Sequence, residues 1–460
     1  MTQHAPTPIG SSDQDRQGFT TAQVHAGQAP DASYGSRITP IHLSAGFAFD
    51  DFDQARDRFN GDEDGYTYTR YGNPTIAAVE RKLAALEGGA EAIAVGSGQA
   101  AVSVALLGIL SVGDHLLSAR SIYEGSRGLF RDNFARMGIE VDFVDDANDP
   151  DAWRRLIRPN TRAFFGESIP NPRNEILDLS AVSAVADEAG VPLVIDNTLA
   201  TPYLVRPIEH GATVVVHSAS KFLGGHGSAL GGVIVDSGRF DWATHAESFP
   251  HLAGPAHPLR KQSYTERFGA VAYAAYTRSA VASRLGPTLS PFNAFLLQQG
   301  IETLSLRVQR HSANALAVAR WLEAQPEVES VDYSGLESNR YHELALRYLP
   351  RGQGSVFSFT LAGGVDAAER FVNAVRLFTP MSHLGDVRSL VLHAATTSHA
   401  NLTPDELLAA GIAPGTLRLS VGIEDEPDLI RDLARALAAV SGASPAARIH
   451  DHLLAGTALG

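Results

Sequence analysis

VIDNTLATPYLVRPIEHGATVVVHSASKFLGGHG, residues 194–227, holds two short strands that each end in chemistry. The first, 192–195, is apolar throughout and stops at Asp196, where Asn197 and Thr198 turn the chain away. The second, 213–216, is equally apolar and delivers His217-Ser218-Ala219-Ser220-Lys221, then Gly224-Gly225-His226-Gly227. Strands that are apolar at every position, not at alternate ones, are buried on both faces. That is the mark of a parallel sheet covered by helices.

The same texture continues upstream, with apolar runs at 92–95, 115–117, 141–144 and 162–165 and helical segments at 124–136 and 180–188. Asn73 can cap a helix that has Pro74 at its first position, and Ile76, Val79, Leu83 and Leu86 form a stripe ending at Gly88-Gly89. The longest apolar run, 100–110, is far short of the roughly 20 residues that cross a bilayer, and predicts a buried helix. The fold class is therefore α/β with a mainly parallel central sheet. Beyond Pro287 the pattern changes. Residues 291–322 predict one long helix, followed by strands from Ser355 and Thr416 and helices over 366–376 and 427–439, a smaller α+β domain. The predicted division is an N-terminal tail and arm over 1–65, a large α/β domain over 66–290 and a C-terminal domain over 291–460.

Composition narrows the function. The 460 residues carry 37 Lys plus Arg against 51 Asp plus Glu, a net charge of −14, which disfavours nucleic acid and anionic membranes as partners. No Cys is present, so disulfides, thiolate nucleophiles and Cys-ligated metals are excluded. The polar first 18 residues lack the apolar core of a signal peptide, and a cytoplasmic protein is expected. His450 and His452 flank Asp451 in a polar tail, where solvated side chains are expected and no metal site.

In an open parallel sheet, ligands sit beyond the carboxyl ends of the strands. After 92–95, Gly96-Ser97-Gly98-Gln99 opens a helix whose free N–H groups and dipole make an anion site. Asp196 stands at a second strand end and Lys221 follows a third. The chain has only three lysines, Lys82, Lys221 and Lys261; every other basic residue is Arg. Arg replaces Lys as a charge but not as a Schiff-base former, because it is never neutral. Lys82, on the polar side of the Pro74 helix, and Lys261, in a polar segment, predict solvated side chains. Lys221 is the functional candidate.

Residues 96–101 also fit the dinucleotide fingerprint G-x-G-x-x-G/A, with Asp114 further on. An NAD(P)-dependent oxidoreductase is the competing class, but it leaves Asp196 and Lys221 without a task. A phosphate cradle, a lysine and a carboxylate at adjoining strand ends suit pyridoxal 5′-phosphate. The phosphate would lie on the 96–99 turn with the Ser218 and Ser220 hydroxyls, Lys221 would hold the aldehyde, and Asp196 the ring nitrogen. His217 and His226 have no role that this chemistry requires.

These residues resemble a known family, the pyridoxal-phosphate enzymes of Cys/Met metabolism (cystathionine γ-synthase-like). The motifs are YTRYGNPT at 68–75, VGSGQAA at 95–101, ESIPNP at 167–172, VIDNTLATPY at 194–203 and VVVHSASKFLGGHG at 214–227. ITPIHLSAGFAF at 38–49, LSPFNAFLLQQGIETLSLR at 289–307 and the long segment around Ser248 are most similar to the branch that joins sulfide to O-acetylhomoserine. The resemblance implies the aspartate aminotransferase-like transferase fold (fold type I) and pyridoxal phosphate as cofactor. The implied reaction is γ-replacement on O-acetyl-L-homoserine with sulfide, giving homocysteine and acetate, or alternatively γ-synthase or γ-lyase chemistry of the same family.

It also implies roles by position. Lys221 is the imine-forming lysine and proton shuttle, and Asp196 the pyridine partner. Ser97, Gly98, Gln99, Ser218 and Ser220 bind the phosphate. Tyr123 stacks on the ring and assists catalysis; Asn171 lies near the ring hydroxyl. Tyr68 and Arg70 reach the phosphate of a neighbouring subunit, which implies a homotetramer built from site-sharing dimers. Ser389 and Arg418 bind the substrate carboxylate. The sequence departs from the family pattern at Ser220 (Thr is frequent), at Glu124 and Ser126 (for Gly and Thr), and at LHAATTSH from Leu392 (for HPASTTH).

Overall fold

The computed structural model describes residues 17–442 except 32 and 260; His450, Asp451 and His452 lie outside the described residues. Its larger sheet has seven strands: β1 (Glu91–Val95), β2 (His115–Ala119), β3 (Glu140–Val144), β4 (Thr161–Glu167), β5 (Leu193–Asp196), β6 (Val214–Ser218) and β7 (Gly232–Asp236). Their order is β1-β7-β6-β5-β4-β2-β3. Pairing is parallel from β6 through β5, β4 and β2 to β3, and antiparallel where β7 meets β6 and β1. Two antiparallel steps restore the sense, so β1 runs with β6 and the carboxyl ends of β1, β4, β5 and β6 share one edge. All of β2 and β7 is buried, as a sheet covered on both faces requires. Sequence pattern alone does not separate β7 from the glycine-rich loop before it, because its first residue is itself a glycine.

The smaller sheet comprises β8 (Val328–Asp332), β9 (Val356–Leu361), β10 (Thr379–Pro380), β11 (Leu390–His393) and β12 (Thr416–Ser420), ordered β10-β11-β12-β9-β8 and mostly antiparallel. Phe357, Leu417, Leu419 and Leu433 belong to its own apolar core, distinct from the core of Trp153, Phe164, Val194 and Val215 around the larger sheet.

The helix of Pro74 spans Pro74–Glu87, and Asn73 caps it by accepting the Thr75 N–H at 2.9 Å. The single helix expected over 291–322 is instead two, Pro291–Ile301 and Leu304–Glu323. A close approach lies just before the break. At Gly300 a Cβ would stand 2.3 Å from the Gly224 carbonyl oxygen, so only glycine lets the first helix touch the turn after Lys221. From the second helix, Arg307 reaches back to the Gly300 carbonyl at 2.6 Å.

Lys82 also differs from expectation. It is fully buried, because the helix Phe19–His25 lies across its side of the Pro74 helix. Its ammonium donates to the Gln23 and Val24 carbonyls at 2.8 and 3.3 Å, and Glu302 stands 3.7 Å away. A cation is favourable at a helix C-terminus, and here it ties the N-terminal arm to the body. Lys82→Met leaves these acceptors unpaired, and denaturant unfolding should show a loss of about 2 kcal/mol. Unchanged stability would contradict the tether.

Candidate active site

The shared edge opens into one cavity of about 540 Å³. Ser97, Gly98 and Gln99 enter it after β1, Tyr123 after β2, Asn171 after β4, Asp196 at the tip of β5, and Ser218, Ser220 and Lys221 from the end of β6. Arg418 comes from β12 of the smaller sheet, so the cavity lies where the two sheets meet.

The floor is an anion cradle. Ser97 caps the helix Gly98–Leu107, accepting the Ala100 N–H at 3.1 Å, which leaves the first helical N–H groups pointing outward. A Cβ on Gly98 would sit 2.4 Å from the Ser218 Cβ, so the glycine lets the start of this helix approach the end of β6. The Ser218 and Ser220 hydroxyls lie 2.9 Å apart, and the Ser218 N–H donates to the Thr198 hydroxyl at 2.8 Å.

Lys221 follows on a tight turn, its carbonyl accepting the Gly225 N–H at 2.7 Å. Arg307 braces that turn through the Phe222 and Leu223 carbonyls at 2.8 and 3.3 Å. Burial, then the Arg418 cation, pushes the Lys221 amine from its ordinary 10.5 down to about 8. Arg418 is itself buried. Its guanidinium donates to Asn171 Oδ1 and to the Ser382 and His383 carbonyls, each at 3.2 Å, while its Nε has no partner and no carboxylate pairs with it among the described residues.

Asp196 accepts from the Thr198 N–H at 2.9 Å and from its hydroxyl at 2.5 Å. Burial pushes its carboxyl up, and the Thr198 bonds and His217 pull it back. Behind it His217 Nε2 lies 2.6 Å from Glu87 Oε1, which also accepts from Asn197 at 2.9 Å, a fully buried pair beneath β5 and β6. Two residues at the site carried no individual signal in the sequence, Glu167 in the cavity wall and His383 between the lining residues Ser382 and Leu384. Glu167 is in register with Asp196 across β4 and β5 and accepts the Tyr123 N–H at 2.7 Å. Burial, then Asp196, raises the Glu167 carboxyl well above its ordinary value. His383 stands with its Nδ1 at 3.2 Å from Lys221 Nζ.

Three predicted residues do not line this chain's cavity. Tyr68 is exposed, and Arg70 lies over the Tyr71 ring at 4.4 Å with a hydrogen bond to the Ser283 carbonyl. Ser389 is fully buried: its hydroxyl donates to Glu424 at 2.9 Å and accepts the Gly422 N–H at 2.8 Å, which leaves it no hydrogen to donate to a substrate carboxylate. Asp114, the acid of the dinucleotide reading, lies outside the cavity, 3.7 Å from Arg162. His226 is exposed on the Lys221 loop, 2.7 Å from the Gly224 carbonyl.

Residues 20–438 match the model of the Cys/Met metabolism PLP-dependent enzymes. The chain belongs to this family. It is 43% identical to an O-acetyl-L-homoserine sulfhydrylase of Corynebacterium glutamicum over 94% of this chain and 99% of the relative. It is 44% identical to a homocysteine synthase of Schizosaccharomyces pombe over 91% and 98%. Among solved structures, a Campylobacter jejuni chain assigned as an O-acetylhomoserine (thiol)-lyase superposes with a TM-score of 0.88 at 34% identity, covering 92% of this chain and all of that one. That chain contains N′-pyridoxyl-lysine-5′-monophosphate.

As a PLP-dependent family member, the protein has donors that fit the cofactor. The cradle suits a phosphate, the low-pKa amine an aldehyde, and a buried carboxyl without a cation partner suits a protonated ring nitrogen. Below about 8 the Lys221 amine is protonated and cannot attack an aldehyde; above it the amine is free. Cofactor uptake by cofactor-free protein, followed as visible absorbance, should therefore speed up as pH rises through about 8 and then level off. Lys221→Ala should develop no such band, and a rate without an inflection in that range would contradict the assignment.

Proposed function

We propose that the protein replaces the acetyl group of O-acetyl-L-homoserine by sulfide, giving L-homocysteine and acetate in a methionine-forming route. Bound pyridoxal phosphate supplies an electron sink for the bonds at the substrate's Cα. The rest is done by the chain. Lys221 Nζ attaches the cofactor and, once freed, takes the Cα proton; its depressed basicity lets it shed its proton at a lower pH than an ordinary lysine. Asp196 would hold the proton on the ring nitrogen, and Tyr123, half-exposed at the mouth, stands where it can stack on the ring. A second proton leaves Cβ, acetate departs from Cγ, and hydrosulfide then adds there.

The observation that carries the substrate class is Arg418. A buried guanidinium without an acid partner among the described residues is costly unless an anion arrives, and an amino-acid substrate brings an α-carboxylate to the same cavity as Lys221. Tyr68 and Arg70, outside this chain's own cavity, are proposed to complete a neighbouring copy's phosphate site in a homotetramer of site-sharing dimers. We place the enzyme in the cytoplasm, acting on small molecules and not on nucleic acid, consistent with its net charge of −14. Among the described residues no helix is long and apolar enough to cross a membrane.

Purified holoenzyme given O-acetyl-L-homoserine and sulfide should release homocysteine and acetate. Cystathionine from added cysteine, or oxobutyrate without a thiol, as the main product would favour the family's other reactions. Arg418→Ala should raise KM for the amino acid by roughly a hundredfold while the cofactor band persists, and an unchanged KM would remove its carboxylate role.

A further inference from the structure

The Lys221 amine has a neighbour, His383, that the reaction above leaves unused. His383 lies on the loop between β10 and β11, and that loop is pinned from both sheets. Arg418 of β12 donates to its carbonyls 382 and 383, the Gly385 N–H donates to the Ser420 hydroxyl at 2.9 Å, and the Val387 N–H to the Gly225 carbonyl at 2.9 Å, on the turn after Lys221. The imidazole is thereby held with Nδ1 at 3.2 Å from Lys221 Nζ. Its other nitrogen, Nε2, is buried and has no hydrogen-bond partner among the described residues. No carboxylate fixes the tautomer, so a bare Nδ1 can face the amine.

The γ-replacement takes hydrogens from two substrate carbons, Cα and Cβ. A neutral amine holds one extra proton, so a lysine that serves both carbons must pass on the first before it takes the second. We propose that His383 receives that first proton from Lys221. The Nζ–H bond breaks, an Nδ1–H bond forms, the ring becomes imidazolium, and Lys221 is again a neutral amine for the Cβ proton. The proton returns through Lys221 when the product carbons are reprotonated. His383 is thus a positioning and proton-holding residue that acts through Lys221, and its role rests on the pyridoxal-phosphate reading of the site.

The charged groups around the ring are Lys221, Arg418, Arg388 and Asp386. Burial, then Lys221, lowers the basicity of the imidazole, with smaller effects of Arg418 and Arg388 in the same sense, and Asp386 opposes. These groups favour the uncharged ring, whose Nδ1 lone pair then faces the amine, and they make it a weaker base than Lys221, so it holds the proton only in passing.

Two measurements separate this relay from the reading beneath it. With only three lysines in the chain, lysine labelled at Cε gives a Lys221 signal that is easily followed by NMR in cofactor-free protein. His383→Leu, which removes the acceptor, should move its titration midpoint down by about one pH unit, and His383→Gln, which keeps an acceptor, should leave it in place. An unmoved midpoint in the Leu variant overturns the contact.

Holoenzyme incubated in heavy water with L-norvaline, which has no γ-leaving group, should exchange hydrogen at both Cα and Cβ. His383→Gln accepts a hydrogen bond but holds no proton; it should keep Cα exchange within about twofold and lose Cβ exchange by roughly a hundredfold. Equal Cβ exchange in wild type and the Gln variant, or exchange confined to Cα in wild type, overturns the relay. Absence of Cα exchange in wild type overturns the cofactor reading itself and the relay with it.

Discussion

Three ionisable groups face one cavity without an ion pair among the described residues: the Asp196 carboxyl, the Lys221 amine and the Arg418 guanidinium. Each is penalised by burial, which raises Asp196, lowers Lys221 to about 8 and lowers Arg418 to about 10. Proteins seldom bury charge unmatched, because desolvation costs several kcal/mol per ion on an order-of-magnitude scale. In the function proposed above, the missing counter-groups are those of a coenzyme and an amino acid: a ring cation for the carboxyl, an aldehyde for the amine, a carboxylate for the guanidinium. The site stores its specificity as unsatisfied electrostatics.

Holding such groups in place falls to the backbone. The topology brings the carboxyl ends of β1, β4, β5 and β6 to one edge, and Arg418 arrives from a different sheet through β12. Behind the cavity, polar residues act as struts. Arg307 clamps the carbonyls after Lys221, and the buried Glu87–His217 pair ties β6 to the Pro74 helix beneath Asp196. Glu167, a second carboxyl beside Asp196 whose basicity burial and that neighbour raise, secures the Tyr123 backbone.

Most of this was legible where the chemistry is local. Asp196 and Lys221 end apolar strands, and the 96–99 turn opens a helix, so spacing along the chain reports position in space. Other residues escaped for physical reasons. Lys82 lies on a polar helix face, but nothing in its own helix reveals that the segment Phe19–His25 folds over it. Residues 291–322 have helical character throughout, and neither the break at 302–303 nor the tertiary contact at Gly300 beside it leaves a mark in that pattern. His383 sits in an irregular loop with no periodicity, and only long-range folding brings it 162 residues back to Lys221. Ser389 shows the converse: a hydroxyl at a suggestive position is spent on Glu424.

The central claim is that Lys221, of all amines in the chain, carries the coenzyme. Holoenzyme reduced with borohydride, digested and mapped by mass spectrometry tests it most directly. The account predicts one pyridoxyl adduct, on the peptide containing Lys221. An adduct on Lys82 or Lys261, or none on a protein that retains its visible colour, would contradict it.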